Sequence, residues 1–374
     1  MQFGLTETQQ MLKNSAREFF PAECPMAEVR RLMELDGAFD AALWRKIAGQ
    51  GWTGMLIPEE HGGMGLGLVE MAVAAEEMGR VLLPGPLFST VFVAGALLDA
   101  MPQWRHRAEP IAAGEQRATL ALLEDNARWD FDGVRLRLSG GRISGRKLFV
   151  PDAASSDLLL CAARCGEELA IVAIDPRGAG VSVRPMPALD RTRQLYAIEF
   201  DRAAVEILAT GGDAEAALQR TCDIACIALA AEMAGAMERV LEITVEYAKT
   251  RKQFGKPIGQ FQAVQHLCAD MLVFTESSRS AACYAAWALQ EGAPDARTAV
   301  SVAKSYAGDA CRETINRGIQ VHGGMGFTWE NDLHLYYRRA KASEIAFGDA
   351  AFHRERIAHY IVDARAAHAL GTNM

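Results

Sequence analysis

Two segments of the chain carry residue types and spacings that suit chemistry. The first is Tyr247-Ala-Lys-Thr-Arg-Lys-Gln-Phe-Gly-Lys-Pro-Ile-Gly-Gln-Phe-Gln262, where a helical pattern ends in four cations, Lys249, Arg251, Lys252 and Lys256. A Gly-Lys-Pro turn follows, and then a new helix. Cations in a last helical turn complement the helix dipole. The same group also suits a polyanion, with Arg251 as a bidentate fork and Phe254 as an apolar wall. The second segment, Gln320-Val-His-Gly-Gly-Met-Gly-Phe327, sets three glycines in four residues between two helical patterns. Such a run either makes a tight helix–helix connection or lets the backbone approach a phosphate closely. Spacing alone leaves both readings open.

Other chemistries lack their residues. None of the eight histidines has a Glu three residues before it, so the Glu-x-x-His pair of a di-iron bundle is absent. There is no H-E-x-x-H, no G-x-G-x-x-G and no G-K-[ST] phosphate loop, and no metal site is expected. The eight cysteines include no C-x-x-C pair. Cys161/Cys165 and Cys222/Cys226 lie among apolar neighbours and read as small buried hydrophobes.

The elements that must position these segments fall into three zones. Residues 1–116 read as helix and loop: a helix from Thr6-Glu7 closed by Pro21, a helix over Ala41 to Ala48, the glycine-rich Pro58 to Gly67, and a helix over Val69 to Arg80. Residues 117–210 change period. Seven short runs rich in Val, Leu and Ile, from Thr119–Leu123 to Tyr196–Phe200, are punctuated by Gly, Pro, Asp and Ser and predict a β barrel or sandwich. Residues 211–374 return to the helical period. Ala214 to Lys249 is one unbroken pattern, roughly 50 Å long at 1.5 Å per residue. Gly259–Gln290, Ala296–Val321 and Asp332–Ile361 complete a four-helix bundle. The fold class is therefore α+β.

Charge and composition exclude further classes. The 374 residues hold 39 Lys+Arg against 47 Asp+Glu, a net charge of −8 without a basic run, which disfavours nucleic acid. The longest uncharged stretch, Val81 to Leu98, is interrupted by Pro84 and Pro86 and reads as one buried helix rather than a membrane span. MQFGLTETQQ shows neither a basic n-region nor an apolar h-region, so a cytoplasmic, reduced protein is expected.

Together the two segments resemble the signatures of the acyl-CoA dehydrogenases, R-x-x-Q-F-G-K-x-I-x-x-F-Q-x-x-Q-H at Arg251–His266 and Q-x-H-G-G-x-G-F at Gln320–Phe327. Leu5-Thr-Glu, Pro58-Glu-Glu-His-Gly-Gly and the helical, β, bundle order agree, so the resemblance spans nearly the whole chain. It implies FAD lying between subunits of a dimer or of a dimer of dimers. Arg251, Gln253, Phe254, Ile258, Gln320, Gly323 and Gly324 would hold its diphosphate and adenosine half. The isoalloxazine would face Leu123-Glu124 and Phe149-Val150-Pro151. The implied substrate is an acyl-CoA, and the implied acceptor an electron-transfer flavoprotein or similar protein.

The resemblance breaks at the base. The reaction removes a weakly acidic proton beside a thioester carbonyl, which needs a positioned carboxylate. The family's glutamate most often stands before a Gly between the last helices; the matching position here is Phe347. Some members carry it on the first long bundle helix, where the ungapped count reaches Ala225. Asp223 lies two residues from that position, about 200° around the helix, and Glu344 about one turn before Phe347. For each, a surface charge or ion pair is the alternative reading. The family's flavin-lining loop after Leu122 is short here, and Asp349 replaces a usual hydroxyl, with Arg338, Arg339 and Arg354 as cations to offset it. With Leu83-Pro-Gly-Pro86, these departures resemble the companion chains of heteromeric bacterial dehydrogenases of steroid side chains and dicarboxylic acids. The expectation is an FAD-dependent subunit paired with a glutamate-bearing paralogue in a heterotetramer. Its alternatives are a self-sufficient homodimer or homotetramer, or a non-catalytic scaffold.

Overall fold

The computed structural model describes residues 4–363. Along it the helices are α1 (Glu7–Glu23), α2 (Met26–Leu32), α3 (Ala41–Gly49), α4 (Leu68–Arg80), α5 (Ala96–Asp99), α6 (Glu109–Ala112), α7 (Gly211–Thr250), α8 (Gln262–Gln290), α9 (Ala296–His322), α10 (Leu333–Ile345) and α11 (Ala350–Ala358). The strands are β1 (Ala118–Ala121), β2 (Arg137–Ser139), β3 (Arg142–Pro151), β4 (Leu158–Cys165), β5 (Glu168–Ile174), β6 (Val181–Met186), β7 (Leu195–Ala204), β8 (Glu206–Thr210), β9 (Lys252–Gln253) and β10 (Lys256–Pro257). The chain packs as two units. One holds the segment up to Ala22, Leu68–Leu83 and the chain from Cys226 on; the other holds Glu23–Gly67 and Pro84–Ala225.

The first unit is helical. Thr6 and Gln9 cap α1 reciprocally: Thr6 Oγ1 accepts from the Gln9 amide at 3.2 Å and Gln9 Oε1 from the Thr6 amide at 2.9 Å. The helix runs past the expected stop at Pro21 to Glu23. From Cys226 to Met237, α7 is buried on every side, as the central helix of a bundle must be. Two glycines let α4 and α7 touch. A Cβ on Gly79 would lie 2.0 Å from the Glu232 carbonyl oxygen, and one on Gly235 would lie 1.8 Å from that of Glu76. Beside this crossing Glu76 and Glu77 are buried at 4 % and 2 % exposure. Lys13 and Arg279 stand 2.9 and 3.0 Å from Glu76, and Arg17 stands 2.9 Å from Glu77, so the buried charges are matched.

One expected element is corrected here. The run read as a single helix over Asp332–Ile361 is broken into α10 and α11, because Phe347 (φ 57°) and Gly348 (φ 103°) leave the right-handed helical region.

The second unit carries the sheet. Eight strands form one sheet in the order β6-β7-β3-β2-β4-β5-β8, with β1 paired to β4. Pairings are antiparallel except β1–β4 and β2–β4, which are parallel. The inner face buries Ile143, Leu159, Val172, Ile198 and Phe200. Strand β8 was not among the expected runs, because Glu206 and Ile207 are both exposed and break the alternation. The stretch after Pro86 is a buried helix as expected, wound as a wide π turn over Phe88–Gly95 before α5. Asp40 caps α3, accepting from the Ala42 and Leu43 amides at 2.8 and 3.0 Å. Cys165 departs from the expected burial and is exposed at the end of β4, whereas Cys161, Cys222 and Cys226 are buried. Among the described residues no helix is long and apolar enough to cross a membrane.

Candidate functional site

The first signature segment begins where α7 ends. The Arg251 amide bonds back to the Tyr247 carbonyl at 2.8 Å, and the Ile258 amide bonds the Arg251 carbonyl at 2.8 Å. Between these closures β9 and β10 pair Gln253 with Lys256 and Lys252 with Pro257, leaving a two-residue turn. Both turn residues have positive φ, Phe254 at 51° and Gly255 at 77°. This is the hairpin turn whose twist suits the strands. Glycine fits it without strain, whereas a side chain there costs about 1–2 kcal/mol. Phe254 nonetheless occupies it, with its ring 92 % exposed and edge-on to Phe261.

The second segment begins where α9 ends. Gly323 has φ 58° and ψ −138°, a conformation reserved for glycine. A Cβ on Gly323 or Gly324 would meet nothing within 4 Å, whereas one on Gly326 would lie 2.8 Å from the Ile319 carbonyl oxygen. Packing therefore requires Gly326, while Gly323 and Gly324 border open space.

One ring contact joins the two segments. Tyr247 stacks on His322 with centroids 4.2 Å apart and planes at 20°. His322 donates from Nδ1 to the Gly318 carbonyl at 2.8 Å, and burial holds its pKa below the usual value. The imidazole is thus a neutral strut between the ends of α7 and α9. Among the described residues, the side chains of Arg251, Lys252, Gln253 and Gln320 have no partner within the chain. In and just after the second segment Met325, Phe327 and Trp329 are exposed, and His334 stacks on Trp329 at 4.6 Å. Ile258 is half-buried at the start of a short turn leading into α8.

The positions of the expected base are different in kind. Phe347 is half-buried in the connection between α10 and α11. Glu344, one turn earlier, is 8 % exposed and committed at both oxygens: Arg312 bonds Oε1, and Lys341 bonds Oε2 at 2.7 Å. Asp349 caps α11, accepting from the Phe352 amide at 2.8 Å, and Arg354 pairs with Asp309. Ala225 is fully buried in α7; Asp223 is 2 % exposed, and its Oδ1 accepts from Gln219 at 3.0 Å.

In the sheet unit, Glu124 accepts from the buried Lys147 at 2.7 Å and from the Arg135 and Leu136 amides. Burial pushes its carboxyl up, but Lys147 and these amides outweigh it and leave the pKa lowered. Phe149, two residues after Lys147, is another left-handed residue, at φ 56°.

Sequence reasoning missed the Tyr247–His322 strut, although both residues lie within the quoted segments. It also missed Lys304, which is 1 % exposed and donates to the Glu344 and Gly348 carbonyls at 2.9 and 2.8 Å. Its signal was a lysine on an otherwise small and apolar helix face beside Val300, Ala303 and Ala307.

Two family models match the chain: the acyl-CoA dehydrogenase N-terminal domain over residues 6–101 and the C-terminal domain over residues 214–362. The chain belongs to the acyl-CoA dehydrogenase family. As such it falls among oxidoreductases that act on CH–CH bonds. It is 32 % identical to acyl-CoA dehydrogenase IpdE2 of Mycobacterium tuberculosis over 341 residues, covering 90 % of this chain and 92 % of that one. Among solved structures it resembles a Tcur3481-Tcur3483 steroid dehydrogenase variant at 31 % identity and TM-score 0.87, covering 96 % of this chain and 99 % of that one. It also resembles the ChsE4-ChsE5 complex from Mycobacterium tuberculosis at 27 % identity and TM-score 0.88, covering 97 % and 99 %.

The residues of this family member fit a dinucleotide. The arginine fork of Arg251 and the carboxamide of Gln253 follow the end of α7, and the carboxamide of Gln320 lies in the last turn of α9. None of the three has an internal partner among the described residues, and a ring stack ties the two helix ends together. They adjoin two glycines beside open space. That donor set suits a diphosphate.

Proposed function

We propose that this chain is the member without a catalytic base in a two-chain, FAD-dependent acyl-CoA dehydrogenase. The observation that carries this reading is the state of the base positions. Phe347 and Ala225 stand where the family's glutamate is expected, and the nearby Glu344 is held at both oxygens by Arg312 and Lys341. Both oxygens of this carboxylate serve as ion-pair partners within the helical unit, so neither is left free to meet a substrate proton. Two similar solved structures are named for pairs of chains, Tcur3481-Tcur3483 and ChsE4-ChsE5, and the first is a steroid dehydrogenase variant.

In this reading Arg251 forks onto the cofactor diphosphate, with Gln253 and Gln320 as further hydrogen-bonding groups. Gly323 and Gly324 admit the ligand to the backbone, and Phe254 and Ile258 supply apolar walls. FAD, when bound, supplies the hydride acceptor. The partner chain supplies the carboxylate that takes the proton beside the thioester carbonyl. Exposed Phe254, Met325, Phe327 and Trp329 form the apolar surface that the partner covers. The three-zone division at 116/117 and 210/211 belongs to the same reading.

The test is flavin content and bleaching. The purified chain, alone and co-expressed with a glutamate-bearing relative, is assayed for bound FAD and for loss of flavin absorbance on adding a CoA thioester. The pair is expected to bleach, and the lone chain to stay coloured or colourless but unreactive. A lone chain that holds FAD and bleaches fully would overturn the proposal.

A further inference from the structure

A small cavity lies inside the helical unit where α4, α7, α9 and α10 meet. Gly79 of α4, Glu232 of α7, Cys311 of α9, and Arg339 and Ser343 of α10 line it, and all of them are buried. The rest of the lining is apolar. Its volume is about 10 Å³, room for the centre of one water-sized sphere and nothing larger. The space follows from the glycine crossing. Gly79 lies against the Glu232 carbonyl, where a Cβ would stand 2.0 Å from the oxygen, so it brings no side chain to fill the gap.

Ser343 is 1 % exposed, and its Oγ has no hydrogen-bond partner among the described residues. A buried hydroxyl on a helix can bond the carbonyl one turn back. Thr244 does so to Val240 at 2.7 Å, and Thr275 to Met271 at 2.8 Å. Ser278, Ser301 and Thr314 also lack a partner, but they do not line this cavity. A buried hydroxyl left unsatisfied destabilises the fold, and something at the site should meet it.

The charges decide what that can be. Glu232 and Arg339, 2 % and 3 % exposed, face the cavity from different helices, and Arg339 Nη2 also donates to the Leu83 carbonyl at 3.3 Å. An anion would meet the carboxylate and a cation the guanidinium, so an ion of either sign is disfavoured. Burial pushes the Cys311 pKa up, so it stays a neutral thiol and a weak donor. An apolar cavity of this size stays dry, whereas one with two to four polar groups holds water.

We propose that this cavity is a hydration site, in which one water molecule bridges Ser343 Oγ to Glu232 and Arg339 and so holds α10 to α7. The site is independent of the flavin reading.

A high-resolution crystal structure of the full chain should show one ordered water at about 2.6–3.2 Å from Ser343 Oγ. An empty cavity would overturn the proposal. Thermal unfolding gives an independent sign. In a dry cavity Ser343→Ala removes an unsatisfied hydroxyl and gains helix propensity, and both raise the midpoint. With water in place, the same substitution strips that water of a partner and lowers the midpoint. Ser280→Ala, at an exposed position of α8, reports the propensity gain alone. Ser343→Ala is expected to unfold at least about 1–2 °C below Ser280→Ala. A midpoint equal to or above that of Ser280→Ala would overturn the site. Neither measurement needs FAD, so neither result bears on the flavin reading.

Discussion

The ends of α7 and α9 and the end of α10 lie in the same helical unit but are completed in opposite ways. At the end of α10 the polar groups are turned inward: Lys304 and His353 meet the carbonyls, and Arg312 and Lys341 occupy Glu344. At the ends of α7 and α9 the polar side chains of Arg251, Gln253 and Gln320 have no partner among the described residues, and Gly323 and Gly324 face open space. Phe254 and Phe327, in the same two segments, and Trp329, just after the second in sequence, are exposed. The first arrangement fixes a shape, and the second leaves donors for something else to satisfy. Substitutions at one end should therefore register in stability, and at the other in ligand binding.

Acid breaks the comparison most strongly. His353 has a folded pKa of about 3 against 6.5 for the free group, with Lys304 on α9, Arg356 on α11 and Cys226 on α7 around it. Below pH 6.5 the unfolded chain takes up a proton that the folded chain refuses. Stability from this residue is therefore present above pH 6.5 and lost as pH falls towards 3, at about 1.4 kcal/mol per pH unit. Denaturant unfolding between pH 7 and 4 should show His353→Gln losing clearly less stability than the wild type. His322, at the signature end, is shifted the same way but less, so His322→Gln should relieve less. Equal relief at both positions would erase the distinction between the two ends.

A pair of glycines sharpens it next. Gly348→Ala sets a methyl 2.3 Å from the Phe352 ring at φ 103° and should cost about 2–4 kcal/mol. Gly324→Ala meets nothing within 4 Å and should change stability by less than about 0.5 kcal/mol, while lowering flavin loading. Unfolding and flavin content on the same preparations check both.

Much of this contrast lies beyond the reach of sequence. The long helices announce themselves by period, and Ala214–Lys249 matches α7 closely because no proline interrupts it and its one glycine, Gly235, sits mid-helix where it packs against α4. The break after α10 did not show in the period, because Ile345-Ala-Phe-Gly-Asp349 reads as one weak turn in a helical run; only the family resemblance put a connection there. Only tertiary donors hold Phe347 left-handed. Lys304 looks like a solvent charge until the carbonyls of another helix are found against it. The flavin signatures were legible as types and spacing. That Arg251 and Gln320 are unpartnered, and that Tyr247 and His322 join their segments, depends on distances between helix ends far apart in sequence. Glu344 was weighed as a base because it shares a face with Phe347; its two cations come from α9 and from its own helix, and only packing brings Arg312 to it.

At the signature end the expected effect is on binding. Arg251→Gln removes a charged fork that has no partner among the described residues, so stability should hold within about 0.5 kcal/mol. Flavin affinity of the loaded protein should fall roughly tenfold to hundredfold, the range for a lost charge-assisted hydrogen bond to an anion. Thermal unfolding reads the first and fluorimetric FAD titration the second. A loss of stability without a loss of flavin would make Arg251 a helix-end charge and nothing more.

The smallest effect is also the most selective. Phe254 holds a left-handed turn position with a ring 92 % exposed, so its side chain adds strain of about 1–2 kcal/mol while burying almost nothing in the single chain. Asparagine tolerates that backbone. Phe254→Asn should therefore stabilise the isolated chain by roughly 0.5–1 kcal/mol, less than the full strain because the edge contact with Phe261 is lost. The same variant should weaken flavin loading or pairing with the partner chain, since the exposed ring is then missing from the surface it serves. A residue that harms the lone chain but helps the assembly is the signature of an interface position. Destabilisation by Phe254→Asn with unchanged assembly would show instead that the Phe261 contact is why the strained ring is kept.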